Sequence, residues 1–141
     1  MLKLISMRPR PFAMTLCLLA VTIVLGLAVR FAPLHLPPFI VKYGGSTLWA
    51  INLYWLVSAL LPRRTLLGVA SITCALAAAI EFLKLYHSPS LDSFRLTLPG
   101  ILLLGRFFSF WDIVAYWLAI VLAALLDNAI RRRLSTLSTI Q

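Results

Sequence analysis

The sequence predicts an all-α integral membrane protein with four transmembrane helices. The chain has 141 residues, of which 62% are hydrophobic and only 12% are charged, and its mean hydropathy is +0.98. A soluble domain has about half apolar and about a quarter charged residues, and a fold this small could not hide so much apolar surface from water. The net charge of +9 lies in short basic clusters between apolar runs, as in membrane proteins. We therefore expect no nucleic-acid partner.

A single membrane domain, residues 1–141, contains the four predicted spans, at about 12–29, 44–61, 65–85 and 112–127. The first run measures roughly 27 Å as a helix, which is enough to cross the bilayer core. It is longer than the core of a signal peptide and no small-x-small site follows it, so we expect it to be retained. Pro33, Pro37 and Pro38 predict a surface loop from Phe31 to Val41, because proline interrupts a helix.

Small residues mark two helix faces that allow close packing. The sequence Pro62-Arg63-Arg64 forms the predicted hairpin between the second and third spans. Small residues four apart let another helix approach closely, so we expect the third helix to be the centre of the bundle. The stripe on the third helix is Ser71, Ala75 and Ala79, and the stripe on the fourth is Ala115, Ala119 and Ala123.

The segment 87–111, between the third and fourth spans, predicts a short re-entrant or interfacial element, with both placements open. Leu98 to Leu104 is apolar but too short to cross a membrane, and Pro99-Gly100 suits the start of a short helix. The aromatic side chains that follow are typical of the membrane–water boundary. They are Phe107, Phe108, Phe110 and Trp111.

The basic residues predict an orientation with both termini in the cytoplasm. Eight fall on that side in tight clusters near the span ends and five on the external side, as the positive-inside rule requires. The cytoplasmic group is Lys3, Arg8, Arg10, Arg63, Arg64, Arg131, Arg132 and Arg133, and the external group is Arg30, Lys42, Lys84, Arg95 and Arg106.

Ionisable residues on the external side form the candidate site, because such groups in or near a membrane indicate function. The candidate ligand-binding residues are Arg30, Lys42, Glu81, Lys84, Asp92, Arg95, Arg106, Asp112 and Tyr116. Spacings of three or four residues also predict local ion pairs, namely Glu81–Lys84, Asp92–Arg95 and Asp127–Arg131. A polar plug that only stabilises the loop is the structural alternative. Asn52 is expected to hydrogen-bond a neighbouring helix.

Several external motifs carry a resemblance to a known family. They are Pro38-Phe39-Ile40-Val41-Lys42-Tyr43-Gly44-Gly45, Ile80-Glu81-Phe82, Leu91-Asp92-Ser93-Phe94-Arg95 and Phe110-Trp111-Asp112-Ile113. Over roughly residues 30–120 the chain resembles a family of uncharacterised bacterial membrane proteins of about this length. A Glu ending one span, an Arg in the loop and an Asp opening the next also resemble the VanZ-like proteins, named for teicoplanin resistance. The resemblance implies the bacterial inner membrane and supplies no reaction. Lys84 departs from it, since such proteins usually have Gln there.

The leading functional expectation is binding of an anionic envelope lipid or a lipid-linked glycan precursor, with basic side chains holding phosphate oxygens. One alternative is an enzyme acting on such a lipid with Glu81 or Asp112 as general base. The others are a structural subunit of a membrane complex and a small proton-coupled transporter. His35 and His87 lack the spacing of zinc ligands, and we expect neither a metal nor a cofactor. Expected partners are membrane lipid and a membrane protein or a second copy of the chain.

Overall fold

A computed structural model describes residues 10–33 and 35–137, and this part of the chain forms six α-helices and no strand. The helices are α1 (Phe12–Phe31), α2 (Pro38–Leu60), α3 (Leu66–Leu83), α4 (Pro89–Arg95), α5 (Leu98–Leu103) and α6 (Phe110–Leu137). The predicted all-helical class is confirmed. The basic residues Lys3 and Arg8 lie outside the described residues, as do residues 138–141.

Three of these helices, α1, α3 and α6, are long and apolar enough to cross a membrane. By length and composition, these helices are consistent with a multi-pass membrane protein. Helix α2 has 23 residues, roughly 34 Å, and is long enough as well. It is less apolar because Asn52, Tyr54 and Ser58 interrupt its hydrophobic sequence.

The helix bounds differ from the sequence prediction mainly in α2 and α6. Helix α2 begins at Pro38 rather than near residue 44, so the predicted loop through Val41 is wrong in its second half. Proline fits the first helical position because its missing N–H would be unpaired there anyway. Helix α6 continues to Leu137, ten residues beyond the predicted end of the last span.

Contacts between helices define their directions. Arg10 and Thr22, just before and within α1, bond Ser58 and Asn52 of α2 respectively, so these two helices are antiparallel. The Thr22 Oγ1–Asn52 Oδ1 distance is 2.5 Å, which confirms the predicted bond from Asn52 to a neighbouring helix. Helices α2 and α6 run parallel, since the Trp49 ring packs on Tyr116 and Tyr54 bonds Asp127.

The centre of the bundle is α2, which packs against α1, α3 and α6. The prediction that the third helix is central is wrong. Within the described part of the chain, α3 packs on α2 and α6, and α1 packs on α2. The buried core is Ala50, Tyr54, Trp55, Val57, Val69, Ala77, Tyr116, Ala119, Ile120 and Ala123.

Helix α3 uses a different face from the one its small residues indicated. Ser71, Ala75 and Ala79 are exposed, whereas the neighbouring stripe that includes Thr73 and Ala77 is fully buried. Both stripes are free of charge until Glu81, so residue size alone did not distinguish the packed face from the outward one. On α6 the predicted small stripe is packed, with Ala119 and Ala123 buried.

Helices α4 and α5 connect α3 to α6 and confirm the predicted short helix near Leu98. The side chains of Ser88 and Thr97 accept bonds from backbone N–H groups of the first turns, as N-caps do. Gly100 lets the two helices touch, because a Cβ there would lie 1.9 Å from the Phe94 carbonyl oxygen. The pair therefore forms a compact connection at the end of the bundle where α3 ends and α6 begins.

Candidate functional site

Glu81 is the most fully bonded carboxylate at this end of the bundle. It is completely buried near the end of α3. Its Oε1 accepts the backbone N–H of Ser109 at 2.8 Å. Its Oε2 accepts the Tyr116 hydroxyl at 3.1 Å and Lys84 Nζ at 2.5 Å. The predicted Glu81–Lys84 pair is confirmed, and Lys84 is only 6% exposed. Glu81 therefore joins α3 to the start of α6 and has little capacity left for a ligand.

Asp112, in the first turn of α6, is buried beside this network but does not join it. It is 6% exposed, and its Oδ1 has no hydrogen-bond partner among the described residues. The charges of Glu81, Lys42 and Lys84 are close enough to act on it. Buried polar atoms nearly always have a partner. Of the two candidate general bases, Asp112 is therefore the one with a carboxylate oxygen that accepts no hydrogen bond from the described residues.

Arg95 is a buried support for the turn after α3. Its Nη2 donates to the carbonyl of Leu83 at 2.6 Å, and its Nη1 donates to the carbonyl of Tyr86 at 2.9 Å. These are carbonyls of a helix end and the turn beyond it, which the helix itself leaves unpaired. Nη1 also lies 3.0 Å from Asp92 Oδ1, so the predicted Asp92–Arg95 pair is confirmed. The structure does not pair Arg95 with Asp112.

A cavity of about 230 Å³ lies beside Arg95. The residues that line it are His87, Asp92, Arg95, Leu96, Arg106 and Phe107. Arg106 is exposed, and its guanidinium carbon lies 5.8 Å from the centre of the Phe107 ring. His87 Nδ1 lies 3.2 Å from Asp92 Oδ1. The cavity thus places two arginines and one carboxylate around one space, and we call it the Arg95–Arg106 cavity.

The predicted external site accordingly divides into three parts. Glu81, Lys84, Asp112 and Tyr116 form a buried group between α3 and α6. The Arg95–Arg106 cavity takes in Asp92, Arg95 and Arg106. Arg30, in the last turn of α1, and Lys42, near the start of α2, are exposed and line neither.

A second buried charge cluster lies at the opposite end of the bundle, where α1 begins and α6 ends. Asp127, fully buried on α6, bonds Arg131 Nε at 2.7 Å through Oδ1 and the Tyr54 hydroxyl at 2.8 Å through Oδ2. The predicted Asp127–Arg131 pair is confirmed. Arg10 Nε also lies 3.1 Å from Asp127 Oδ1, and Arg10 Nη2 donates to Ser58 Oγ at 2.7 Å. We call these five residues the Arg10 cluster.

The sequence prediction missed the role of Arg10 in this cluster. Its guanidinium also stacks over Trp55, 4.8 Å from the ring centre. Burial lowers the pKa of Arg10 from its ordinary value, while the Asp127 charge opposes that shift. An arginine stays protonated in proteins, since its ordinary pKa lies far above neutral pH. A signal was present, because the predicted orientation placed Arg10 and Arg131 on one side of the membrane and the residue spacing paired Asp127 with Arg131.

These observations define a class, that of helical bundles with helices long and apolar enough to cross a membrane and ionisable groups buried at both ends. Within this class the chain belongs to the family described as protein of unknown function (DUF2809), whose model matches residues 35–120. The predicted membership of an uncharacterised family is confirmed, and the likeness to VanZ-like proteins stays a prediction. No solved structure matches the chain. The matched region holds the buried Glu81 group and the Arg95–Arg106 cavity, whereas Arg10, Asp127 and Arg131 lie outside it.

Proposed function

We propose that the four long helices α1, α2, α3 and α6 all cross the membrane. Both chain termini then lie in the cytoplasm. Three helices are apolar enough to span, and α2 lies against all of them. The polar residues that lower its hydropathy bond or pack against other helices, which explains why a central span is the least apolar. Arg10 and Arg131 contact the same carboxylate, which supports placing both chain ends on one side. The bacterial inner membrane, and α4 and α5 at its outer surface, belong to the same proposal.

We propose that the protein binds the phosphate of an anionic lipid or a lipid-linked glycan precursor in the Arg95–Arg106 cavity. The observation that carries this is that two arginines, with one carboxylate, line a space of about 230 Å³. Arginine presents several N–H donors in a planar fork that matches phosphate oxygens. Arg95 is already held in place by Leu83 and Tyr86, so binding does not have to immobilise it.

The rim of the cavity supports a lipid rather than a free soluble anion. Leu96 is 67% exposed and Phe107 is 79% exposed, although both line the cavity. Apolar and aromatic side chains beside a charged pocket suit the membrane–water boundary. A protein surface at this boundary contacts both the headgroup and the acyl chains of a lipid. The donors would hold the headgroup, and the exposed apolar side chains would lie against the chains.

The test compares Arg106→Ala with Arg30→Ala, because both residues are exposed bases at this end and only Arg106 lines the cavity. Binding of fluorescent short-chain phosphatidylglycerol and of a polyprenyl phosphate is measured with purified protein in neutral detergent, with phosphatidylcholine as the control lipid. A hydrogen bond to a charged group contributes about 1.5–3 kcal/mol. We therefore expect Arg106→Ala to weaken binding at least about tenfold and Arg30→Ala to have little effect. Equal losses in the two variants would contradict the proposal.

A second candidate function is catalysis on a membrane lipid with Asp112 as general base. The observation in its favour is the buried Oδ1 that lacks a partner, whereas Glu81 is bonded by three donors. Asp112 does not line the Arg95–Arg106 cavity, so this function needs a separate substrate position. Incubating the protein with labelled lipid and detecting products by mass spectrometry tests it, with Asp112→Asn as the inactive control.

A further inference from the structure

The charges of the Arg10 cluster do not balance. Arg10 and Arg131 each bring one positive charge and Asp127 brings one negative charge, which leaves one positive charge over. Arg10 is 8% exposed, Arg131 is 7% exposed and Asp127 is not exposed at all. A buried charge that lacks a counter-charge is strongly unfavourable. The cluster would therefore be more stable with an anion beside the two guanidinium groups.

The structure provides a space for that anion. A cavity of about 110 Å³ opens beside the cluster, whereas a single ordered water needs only about 15 Å³. It is lined by Arg10, Phe12, Thr15, Ser58, Ala59, Pro62 and Arg131. Arg10 and Arg131 are among the lining residues, and Asp127 is not. We call this space the Arg10 cavity.

Arg10 also retains an unused donor. Its Nη2 is bonded to Ser58, and its Nε lies 3.1 Å from Asp127 Oδ1 without forming a hydrogen bond. Its Nη1 is also buried without a hydrogen-bond partner in the described part of the chain. Such an orphaned donor normally has a partner in a native protein. An oxyanion in the Arg10 cavity would satisfy it and would be neutralised by the surplus charge.

We propose that the Arg10 cavity is an anion site that binds a phosphate group, with Arg10 and Arg131 as the ligand-binding residues. It is separate from the Arg95–Arg106 cavity and lies at the other end of the bundle. Exposed arginines near the same end, Arg63, Arg64, Arg132 and Arg133, raise the local positive potential and attract anions. The phosphate can belong to a phospholipid headgroup or to a soluble phosphate, and the experiment separates the two.

The experiment measures the thermal unfolding temperature of the full chain in neutral detergent. Sodium phosphate is compared with sodium chloride at equal ionic strength, and dihexanoyl phosphatidic acid is compared with dihexanoyl phosphatidylcholine. A ligand at about 100 times its Kd raises Tm by about 5–10 °C in a chain of this size. A rise with phosphate alone indicates a soluble anion, and a rise with phosphatidic acid alone indicates a lipid headgroup. No rise with either overturns the proposal.

Arg10→Gln is the test variant, because glutamine keeps a donor near Ser58 but removes the charge, and Arg63→Gln is the control at an exposed base. The rise in Tm is expected to disappear in Arg10→Gln and to persist in Arg63→Gln. The same rise in both variants contradicts the site.

Should Arg10→Gln fail to fold, the wild-type protein answers the question. An arginine-selective dicarbonyl reagent should modify Arg10 more slowly when the ligand is present, while modification of Arg63 is unchanged, as read by peptide mass spectrometry. An unchanged rate at Arg10 overturns the proposal.

Discussion

Replacing Glu81 with Gln tests whether its pair with Lys84 is a buried ion pair that holds the bundle together. Two pairs in the chain have the same spacing of three residues but differ in burial. The side chains of Glu81 and Lys84 are 0% and 6% exposed, whereas the Asp92 side chain of the Asp92–Arg95 pair is 44% exposed. The second pair is therefore a matched control for the first.

The expected magnitudes follow from burial. Removing one partner of a buried pair costs about 3–5 kcal/mol, because the other charge is left without compensation. Losing an exposed pair costs at most about 1 kcal/mol, and Arg95 keeps its two carbonyl partners. With about 2–4 °C for each kcal/mol, Glu81→Gln should lower Tm by roughly 6–20 °C. Asp92→Asn should lower it by less than about 4 °C.

The assay is thermal unfolding of purified variants in one neutral detergent, followed by intrinsic tryptophan fluorescence. A double-mutant cycle adds Lys84→Met. Because removing both charges leaves none uncompensated, the double variant should be more stable than Glu81→Gln alone, with a coupling energy of about 0.5–3 kcal/mol. Equal Tm losses for Glu81→Gln and Asp92→Asn, or additive effects of Glu81→Gln and Lys84→Met, would refute the reasoning.

Three further predictions concern packing, the isolated carboxylate and topology. Ala77→Leu should destabilise the bundle by about 1–3 kcal/mol through overpacking, while Ala75→Leu, on the outward face of α3, should leave Tm unchanged. A larger loss of stability in Ala75→Leu would mean that α3 packs through the face that carries Ala75. Asp112→Asn should leave the free energy of unfolding within about 1 kcal/mol of wild type or raise it, since it replaces a buried carboxylate whose Oδ1 lacks a hydrogen-bond partner; a drop in Tm of several degrees would reveal an ion pair. Reporter domains inserted at Arg64 and at Ser90 should report the cytoplasmic and the external side respectively, and the same side for both would exclude the four-span topology.

Local features of the fold followed from the sequence, because they depend on spacing along one helix. Three ion pairs between side chains three or four residues apart were predicted for that reason: Glu81–Lys84, Asp92–Arg95 and Asp127–Arg131. The short helix after Thr97 was predictable from its proline and glycine for a similar reason. Each of these features needs only the geometry of one or two turns.

Features that depend on how helices rotate against each other did not follow. The packed face of α3 could not be chosen, since the stripes through Ala75 and Ala77 are both apolar or small. The link from Arg10 to Asp127 joins residues from opposite ends of the sequence, and no periodicity reports such a contact. The predicted site residues other than Arg30 and Lys42 divide into a buried group around Glu81 and a cavity beside Arg95, and this division depends on that same rotation.

The contact between Arg10 and Asp127 also has a consequence for the order of biosynthesis. Arg10 precedes α1, whereas Asp127 is translated only after α1, α2 and α3 have left the ribosome. Among the described helices α1 packs on α2, so a nascent chain that stops before α6 holds Arg10 through Ser58 and Trp55 without any acidic partner. The guanidinium of such a fragment lacks the carboxylate that lies 3.1 Å from it in the complete bundle. The last helix therefore supplies the counter-charge for the residue that precedes the first helix. A chain that ends before α6 lacks this carboxylate.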